Sequence, residues 1–367
     1  MFHAELFLTG KRNTNLLCKT INNKCYNLNY SKLLKDDISK NELETFLSNQ
    51  AENNYYIKYN LNFDNSNYYD KFITFLNPEI NNLINKISAN GKYHLNDKNV
   101  AQGIVAPQDS LNKKCQQILG AEHKVGEGIF ILSDAEKNDL NLNEDEINDL
   151  IRPLYTSNEI NRYKSENKNK YWIIYTSSKF KNSNEIKPYP NIKKHLDQYA
   201  NIITSDNKPY GLHRSRDNDF FIGDKIISLR KCQKPTFSYV DFDCYVMQTF
   251  YSIKPNDINL KYLTALLNSK LIEYWLKMQG KMQGDNYQID KEPLLNIPIC
   301  KPNIDIQNKV SNIVDLIYQV TNSVDYMNNL YKQQEVIKYE KQIDVVVYKL
   351  YDLTYQEVLT VIFQFCL

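Results

Sequence analysis

Ile306, Val310, Ile313, Ile317, Val320, Val324 and Met327 are spaced 4, 3, 4, 3, 4 and 3 residues apart. That is an a/d stripe over three heptads, continued by Tyr331, and side chains so spaced share one face of an α-helix. The spacing predicts one helix of roughly 30 residues from Asp305, packed lengthwise on another helix. Glu340–Leu350 and Tyr355–Phe363 read as two shorter amphipathic helices. Residues 302–367 are therefore expected to be a C-terminal helical region.

Upstream the pattern is mixed. Short β-type runs stand at Gly103–Val105, Gly128–Leu132, Tyr171–Thr176, Ile202–Thr204, Lys225–Leu229, Thr236–Tyr239 and Val246–Ser252. Helical stretches lie among them at Ile192–Tyr199 and Leu260–Met278. Without regular strand–helix alternation, the fold class is α+β rather than a doubly wound sheet. The first 30 residues read as strands, Ala4–Leu8, then a hairpin of Asn15–Lys19 and Cys25–Leu28 about Asn22-Asn23-Lys24. Residues 31–50 read as a helix, and Phe72–Ile87 has helical spacing with Pro78 at a start or break. Three segments are expected: 1–90, 91–301 and 302–367.

Composition removes several function classes. Seven Cys form no C-x-x-C and five His show no ligand spacing, so a disulfide framework or zinc knuckle is not expected. No apolar run approaches about 18 residues, so no membrane association and a cytoplasmic location are expected. Net charge is only +2. Its distribution is uneven, because residues 161–301 carry 23 Lys and Arg against 14 Asp and Glu. A basic central segment suits a polyanion, since neutralised phosphates release counterions.

Catalytic signatures are missing. The G-x-G at Gly126–Gly128 precedes a strand rather than opening a helix, and no G-x-x-x-x-G-K-[ST] or Gly-x-Ser-x-Gly occurs. There is no Pro-Pro, hence no Asn/Asp-Pro-Pro-aromatic motif to hold a flipped adenine amine and stack on its ring.

Two stretches carry binding chemistry. Pro209–Ile227 places Tyr210, Leu212, Phe220 and Phe221 to pack inward and His213, Arg214, Ser215 and Arg216 to donate. Lys225 opens the next strand and Arg230-Lys231 closes it. Arginine suits guanine edges and phosphates because its fork donates two parallel hydrogen bonds. Pairing of Arg214 and Arg216 with Asp217, Asp219 or Asp224 is the competing reading. The second stretch runs from Leu266-Leu267-Asn268-Ser269-Lys270 through Trp275 into Gly280-Lys281-Met282-Gln283-Gly284 and Pro293–Pro298. Glycines flanking Lys281 would let the backbone approach a phosphate closely.

In order along the chain, Gly103–Asp109 (GIVAPQD), Gly126–Ser133 (GEGIFILS), Ile151–Tyr155 (IRPLY), Ile160–Tyr163 (INRY), Tyr189–Leu196 (YPNIKKHL), Leu212–Arg216 (LHRSR), Leu266–Lys270 (LLNSK), Gly280–Gly284 and Leu294–Ile299 resemble the C-terminal specificity domain of TaqI-type adenine-specific DNA methyltransferases and related type IIG restriction-modification enzymes. Ala106 and Pro107 stand where that family usually has Thr-Gly. The resemblance covers roughly residues 91–300 and implies a bacterial target-recognition domain that reads double-stranded DNA without catalysing alone. It implies that residues 1–90 are a remnant of a methyltransferase lobe plus connector. It also implies a separate methyltransferase lobe or subunit as partner, with S-adenosylmethionine bound there and no cofactor in this chain. The residues expected on DNA are Gln108, Tyr210, His213, Arg214, Ser215, Arg216, Lys225, Arg230, Lys281 and Gln283. Other readings are a subunit of a split, site-specific methyltransferase or endonuclease, and a helical interaction protein that ignores DNA.

Overall fold

The computed structural model describes residues 16–21, 24–29, 60–62 and 78–363. The chain divides into two units, Met1–Ala89 and Asn90–Leu367. In the first, β1 (Leu16–Ile21) and β2 (Lys24–Asn29) pair antiparallel with Ile21 opposite Lys24, close to the expected hairpin. β3 (Asn60–Asn62) joins β2. The expected strand Ala4–Leu8 and helix 31–50 lie outside the described residues. Helix α1 (Pro78–Asn90) begins at its proline, whose missing N–H is no loss in a first turn.

The second unit opens with β4 (Val100–Gln102), α2 (Lys113–Leu119), β5 (Ile131–Ser133), α3 (Asp134–Asp139), α4 (Glu144–Leu150) and β6 (Ile151–Tyr155). The middle of the chain forms β7 (Ile160–Asn161), β8 (Lys164–Ser165), β9 (Tyr171–Ile174), α5 (Pro190–Asp197), β10 (Lys225–Leu229), β11 (Lys231–Cys232), β12 (Phe237–Val240), β13 (Tyr245–Val246) and β14 (Phe250–Ile253). Then follow α6 (Leu260–Leu267), α7 (Lys270–Gln279), β15 (Lys281–Gln283), β16 (Asn286–Gln288), α8 (Lys291–Asn296), α9 (Ile304–Thr321), α10 (Leu330–Leu350) and α11 (Tyr355–Phe363).

Helices and several small sheets make the expected α+β mixture. One antiparallel sheet has the order β12-β10-β14-β4. A second, β13-β6-β9-β5, is mixed, with β13 and β6 parallel. A third is the small ladder β11-β16-β15. Two corners join these sheets. Met247–Thr249 carries the chain from the second sheet into the first, and Arg230 carries it from the first into the third.

Polar residues set the helix ends. The side chains of Asn112, Asn143, Asn259, Asn303 and Asn329 each accept an N–H in the first turn of the helix they precede, as helix N-termini require. Glu146 caps twice. Its carboxylate accepts from Asn143 N at 2.9 Å in its own capping box, and from Asn191 N at 2.7 Å and Ile192 N at 3.1 Å at the start of α5. The buried Glu146 thereby fixes α5 against α4.

The heptad expectation needs correction. The predicted long helix is two helices, α9 and α10, with a break at Asn322–Asn329. Asn322 ends the first, its backbone N–H turned to Tyr318 O and Val320 O, and the Asn329 side chain caps the second by accepting from Tyr331 N and Lys332 N. Val324, Met327 and Tyr331 of the stripe are exposed. The buried face of α9 is Gln307, Val310, Ser311, Val314, Ile317 and Thr321, a straight-helix period that packs on α6 and α10. Glu340–Leu350 is the end of the long α10 rather than a short helix. Leu260–Met278 divides at Asn268–Ser269, and Val246–Ser252 divides into β13 and β14. Ile202 and Ile203 are in the core but in no strand. Residues 103–105 follow β4 and make single bridges instead, Ile104 to Met247 and Val105 to Arg214.

Arg162, after β7, ties the C-terminal helices to the sheets. Its guanidinium donates to Glu340 (Nε, 2.8 Å; Nη2, 2.6 Å), Pro235 O (3.0 Å), Asn268 Oδ1 (3.1 Å) and Asn268 O (2.6 Å). Arg162→Leu would leave the Glu340 carboxylate with only Lys234, 3.9 Å away, and strip the Asn268 and Pro235 oxygens of their donor, and should cost up to about 3–5 kcal/mol, read as a lower urea midpoint. Nearby, burial pushes the Asp344 carboxyl up to about 6, against the Lys270 N–H and the Arg162 charge. The folded chain thus keeps a proton that the unfolded chain releases at the ordinary value of 3.8. That contribution is complete below the ordinary value and is lost as pH rises through about 6. Asp344→Asn should remove this slope, gaining on the wild type between acid and neutral pH in denaturant titrations.

Candidate nucleic-acid interface

The small sheet β11-β16-β15 separates its chemistry by pleat. Lys231, Gln288 and Lys281 stand in one cross-strand row, and Gln283 and Asn286 two residues further on. Side chains two apart share a face. One face therefore carries two lysines and three amides. The intervening row, Cys232, Tyr287 and Met282, takes the other face, where Cys232 and Tyr287 are buried. Gly284-Asp285 connects β15 to β16, with Gly284 at φ +64° and no atom within 4 Å of an added Cβ. Backbone conformation, not space, asks for glycine there. The Gly280–Gly284 stretch is thus the first half of a β-hairpin rather than a phosphate-cradling turn.

This face borders a cleft of about 850 Å³ where the three sheets meet. The second sheet contributes Ile131, Leu154–Ser157 and Tyr171; the corners contribute Leu229–Lys231 and Met247–Phe250; the hairpin contributes Gln283 and Gln288. No carboxylate lines it. The polar walls are hydroxyls and amides (Thr156, Ser157, Gln248, Thr249, Gln283, Gln288) with Arg230 and Lys231. Asp290 lies outside the lining and gathers two of these groups and Lys281: Arg230 Nε donates to Oδ1 at 2.6 Å, Gln288 Nε2 to Oδ2 at 2.7 Å, and Lys281 Nζ reaches Oδ2 at 3.4 Å. Burial opposes ionisation of Asp290, yet the Arg230 bond and charge, with Gln288 and Lys281, hold its carboxyl below the usual range.

Of the residues expected from sequence, Arg230 and Gln283 line the cleft and Lys281 stands beside them. A second group adjoins the cleft through β4. Arg214 is exposed and pairs by its backbone with Val105, both bonds 3.0 Å. Arg216, half-buried at φ +67°, donates to Gln102 Oε1 (3.0 Å) and Gly103 O (3.3 Å). Gln102 in turn donates to the carbonyl of Gln248 at 3.1 Å, on the cleft wall. Burial, then the Arg214 charge, lowers the Arg216 pKa. No ion pair joins Arg214 or Arg216 to Asp217, Asp219 or Asp224 among the described residues. His213, with Nδ1 4.0 Å from Asp206, Ser215 and Gln108 are half-buried.

Two expected contacts are core residues instead. Tyr210 is buried, its hydroxyl donating to Asp197 Oδ1 at 2.7 Å. Lys225 is buried, its ammonium donating to the carbonyls of Gly223 and Phe242, and burial lowers its pKa to about 8. Sequence reasoning missed Gln248, Thr249, Gln288 and Asp290 as site residues. The alternation K-M-Q-G-D-N-Y-Q at 281–288 is a hairpin signal that could have found Gln288. Among the described residues no helix is long and apolar enough to cross a membrane, and no cluster of His, Cys, Asp and Glu is arranged to hold a metal ion.

Residues 152–299 match the family described as the TaqI-like C-terminal specificity domain. That region holds the cleft except Ile131, and excludes Gly103–Asp109. Among solved structures, the chain is similar to the type IIL restriction-modification enzyme MmeI, solved in complex with DNA, at TM-score 0.51 and 16% identity over 73% of this chain. The match covers 34% of that enzyme, so this chain spans about a third of its length. No curated protein matches significantly.

Gly103 is a sensitive point behind the cleft. An added Cβ would sit 2.1 Å from the carbonyl oxygen of Met247. Gly103→Ala must push residues 102–105 off the Met247–Thr249 corner and should cost about 1–3 kcal/mol, measured by thermal or urea unfolding.

Proposed function

We propose that this chain, whose residues 152–299 form a TaqI-like C-terminal specificity domain, is the DNA-recognition portion of a restriction-modification system. The observation that carries this reading is the polar face of β11-β16-β15 beside a cleft without carboxylates. The β15-β16 hairpin is a two-stranded ribbon, and such ribbons fit the major groove; amides pair with adenine edges, and lysines meet phosphates without sequence preference. A carboxylate-free wall avoids repelling a polyanion, and Asp290 is already neutralised by its partners.

The finer reading is a bacterial, adenine-specific system. The chain lacks the Asn/Asp-Pro-Pro-aromatic motif that would hold a flipped adenine. Methyl transfer would then need a separate lobe or subunit, and S-adenosylmethionine would bind on that partner. This chain would supply the sequence reading to the pair.

The test is selection from a randomised duplex library at two salt concentrations, using the full chain. Enrichment of one short motif, weaker at higher salt, supports the reading. Salt-sensitive binding without a motif would leave a DNA-binding module that does not itself read sequence, and no binding would overturn the proposal. Lys231→Ala and Lys281→Ala should weaken all sequences alike, each lowering the slope of log affinity against log salt by about one. Fluorescence titrations across salt would measure it.

A further inference from the structure

Arg230 is held at three points. Its N–H donates to Thr249 O at 2.9 Å, its carbonyl accepts from Ile289 N at 2.7 Å, and its Nε donates to Asp290 Oδ1 at 2.6 Å. Asp290 is itself fixed. Gln288 Nε2 donates to its other oxygen at 2.7 Å, and its carbonyl accepts from Leu294 N at 3.2 Å in the first turn of α8. Both ends of the Arg230 side chain are therefore set before any ligand arrives. Among the described residues neither terminal nitrogen, Nη1 nor Nη2, makes a hydrogen bond, and the residue lines the cleft.

A guanidinium with Nε occupied and the Nη pair free presents two donors along one edge. Guanine offers two acceptors, O6 and N7, side by side in the major groove, and no other base does. A phosphate also offers paired oxygens. Here, however, the cations free to swing in solvent are Lys231 and Lys281, while Arg230 is half-buried and held by Asp290 beside Gln248, Thr249 and Gln288. Resting on the DNA-recognition reading above, we infer that Arg230 reads one guanine of the target site through its Nη edge, and that Asp290 is the positioning residue that aims it. Asp290 touches no base. It removes the rotational freedom that a four-torsion side chain would otherwise lose on binding.

The same library selection tests this with the full-length wild type, Arg230→Lys, Arg230→Ala and Asp290→Asn, with unfolding midpoints recorded for each. The wild-type motif should contain a guanine. Arg230→Lys keeps the charge and loses the fork, so preference for that guanine should fall roughly 10- to 100-fold with the salt slope unchanged. Asp290→Asn should relax the same position several-fold and leave the others and the unfolding midpoint as in the wild type. That pattern is specific, because a purely structural role for Asp290 would lower every position together with the midpoint. An Arg230→Ala variant that weakens all sequences equally and lowers the salt slope by about one makes Arg230 a phosphate contact and overturns the inference. A wild-type motif that these variants leave intact, or wild-type binding without any motif, also overturns it while DNA binding stands. If the wild type binds no duplex, the recognition reading itself fails.

Discussion

The buried guanidinium of Arg162 joins parts of the chain that are far apart in sequence. All five of its N–H groups are used: Nε and one Nη2 proton on Glu340 of α10, the other Nη2 proton on Asn268 O, and the Nη1 protons on Asn268 Oδ1 and Pro235 O. Asn268 passes the constraint on, accepting from Phe237 N at 3.1 Å and donating to Phe237 O at 2.8 Å. Phe237 opens β12, the edge strand paired with β10, and β10 runs directly into Arg230. A charge this buried persists because every donor has a partner and a carboxylate balances it. Burial opposes ionisation of Glu340, but the charges of Arg162 and Lys234 keep its carboxyl below the usual range. The helices after residue 302 are thus part of what holds residues 152–299, the stretch that matches the specificity-domain family, in shape.

Much of this architecture was legible where one period dominated a segment. Lys225–Leu229 forms a strand at the bounds read from sequence, and Tyr355–Phe363 a helix at its bounds. Reading failed where a few polar residues overrode periodicity. The heptad stripe continues through Val324 and Met327, but Asn322 and Asn329 end and restart the helix there. Leu260–Met278 keeps its apolar spacing across Asn268–Ser269, yet the Asn268 side chain is committed to Phe237 and Arg162. Such outcomes depend on tertiary partners that local sequence does not contain.

The site was legible by residue type and illegible by burial. Arg230 stands out as a cation closing the strand that Lys225 opens, and Lys281 and Gln283 as a cation and an amide between glycines; the fold puts Arg230 and Gln283 in the cleft lining with Lys281 beside them. Lys225 carries the same chemistry but is followed by Ile226 and Ile227 in a strand buried on both faces, so its ammonium turns to two carbonyls. Tyr210 likewise spends its hydroxyl on Asp197. Nothing in the local sequence marks Asp290 as a site residue. Its role becomes visible only when strand pairing brings Arg230, Gln288 and Lys281 around it.

The placement of these groups has a physical consequence for how a specificity domain can vary. Strand alternation puts Lys231, Gln288, Lys281, Gln283 and Asn286 on one face of the small sheet and the packed row of Cys232, Tyr287 and Met282 on the other. Exchanging Lys231 or Gln283, exposed on the open face, leaves that packed row and the Asp290 cluster untouched, so its cost to stability is that of a surface substitution, usually within about 0.5 kcal/mol. Arg230 is different, since its backbone closes the corner between two sheets and its side chain is fixed by Asp290. The ladder can therefore change its chemistry cheaply, whereas the corner is tied to the fold. Rigid backbone with replaceable side chains is the arrangement in which new contacts can be acquired without rebuilding the domain.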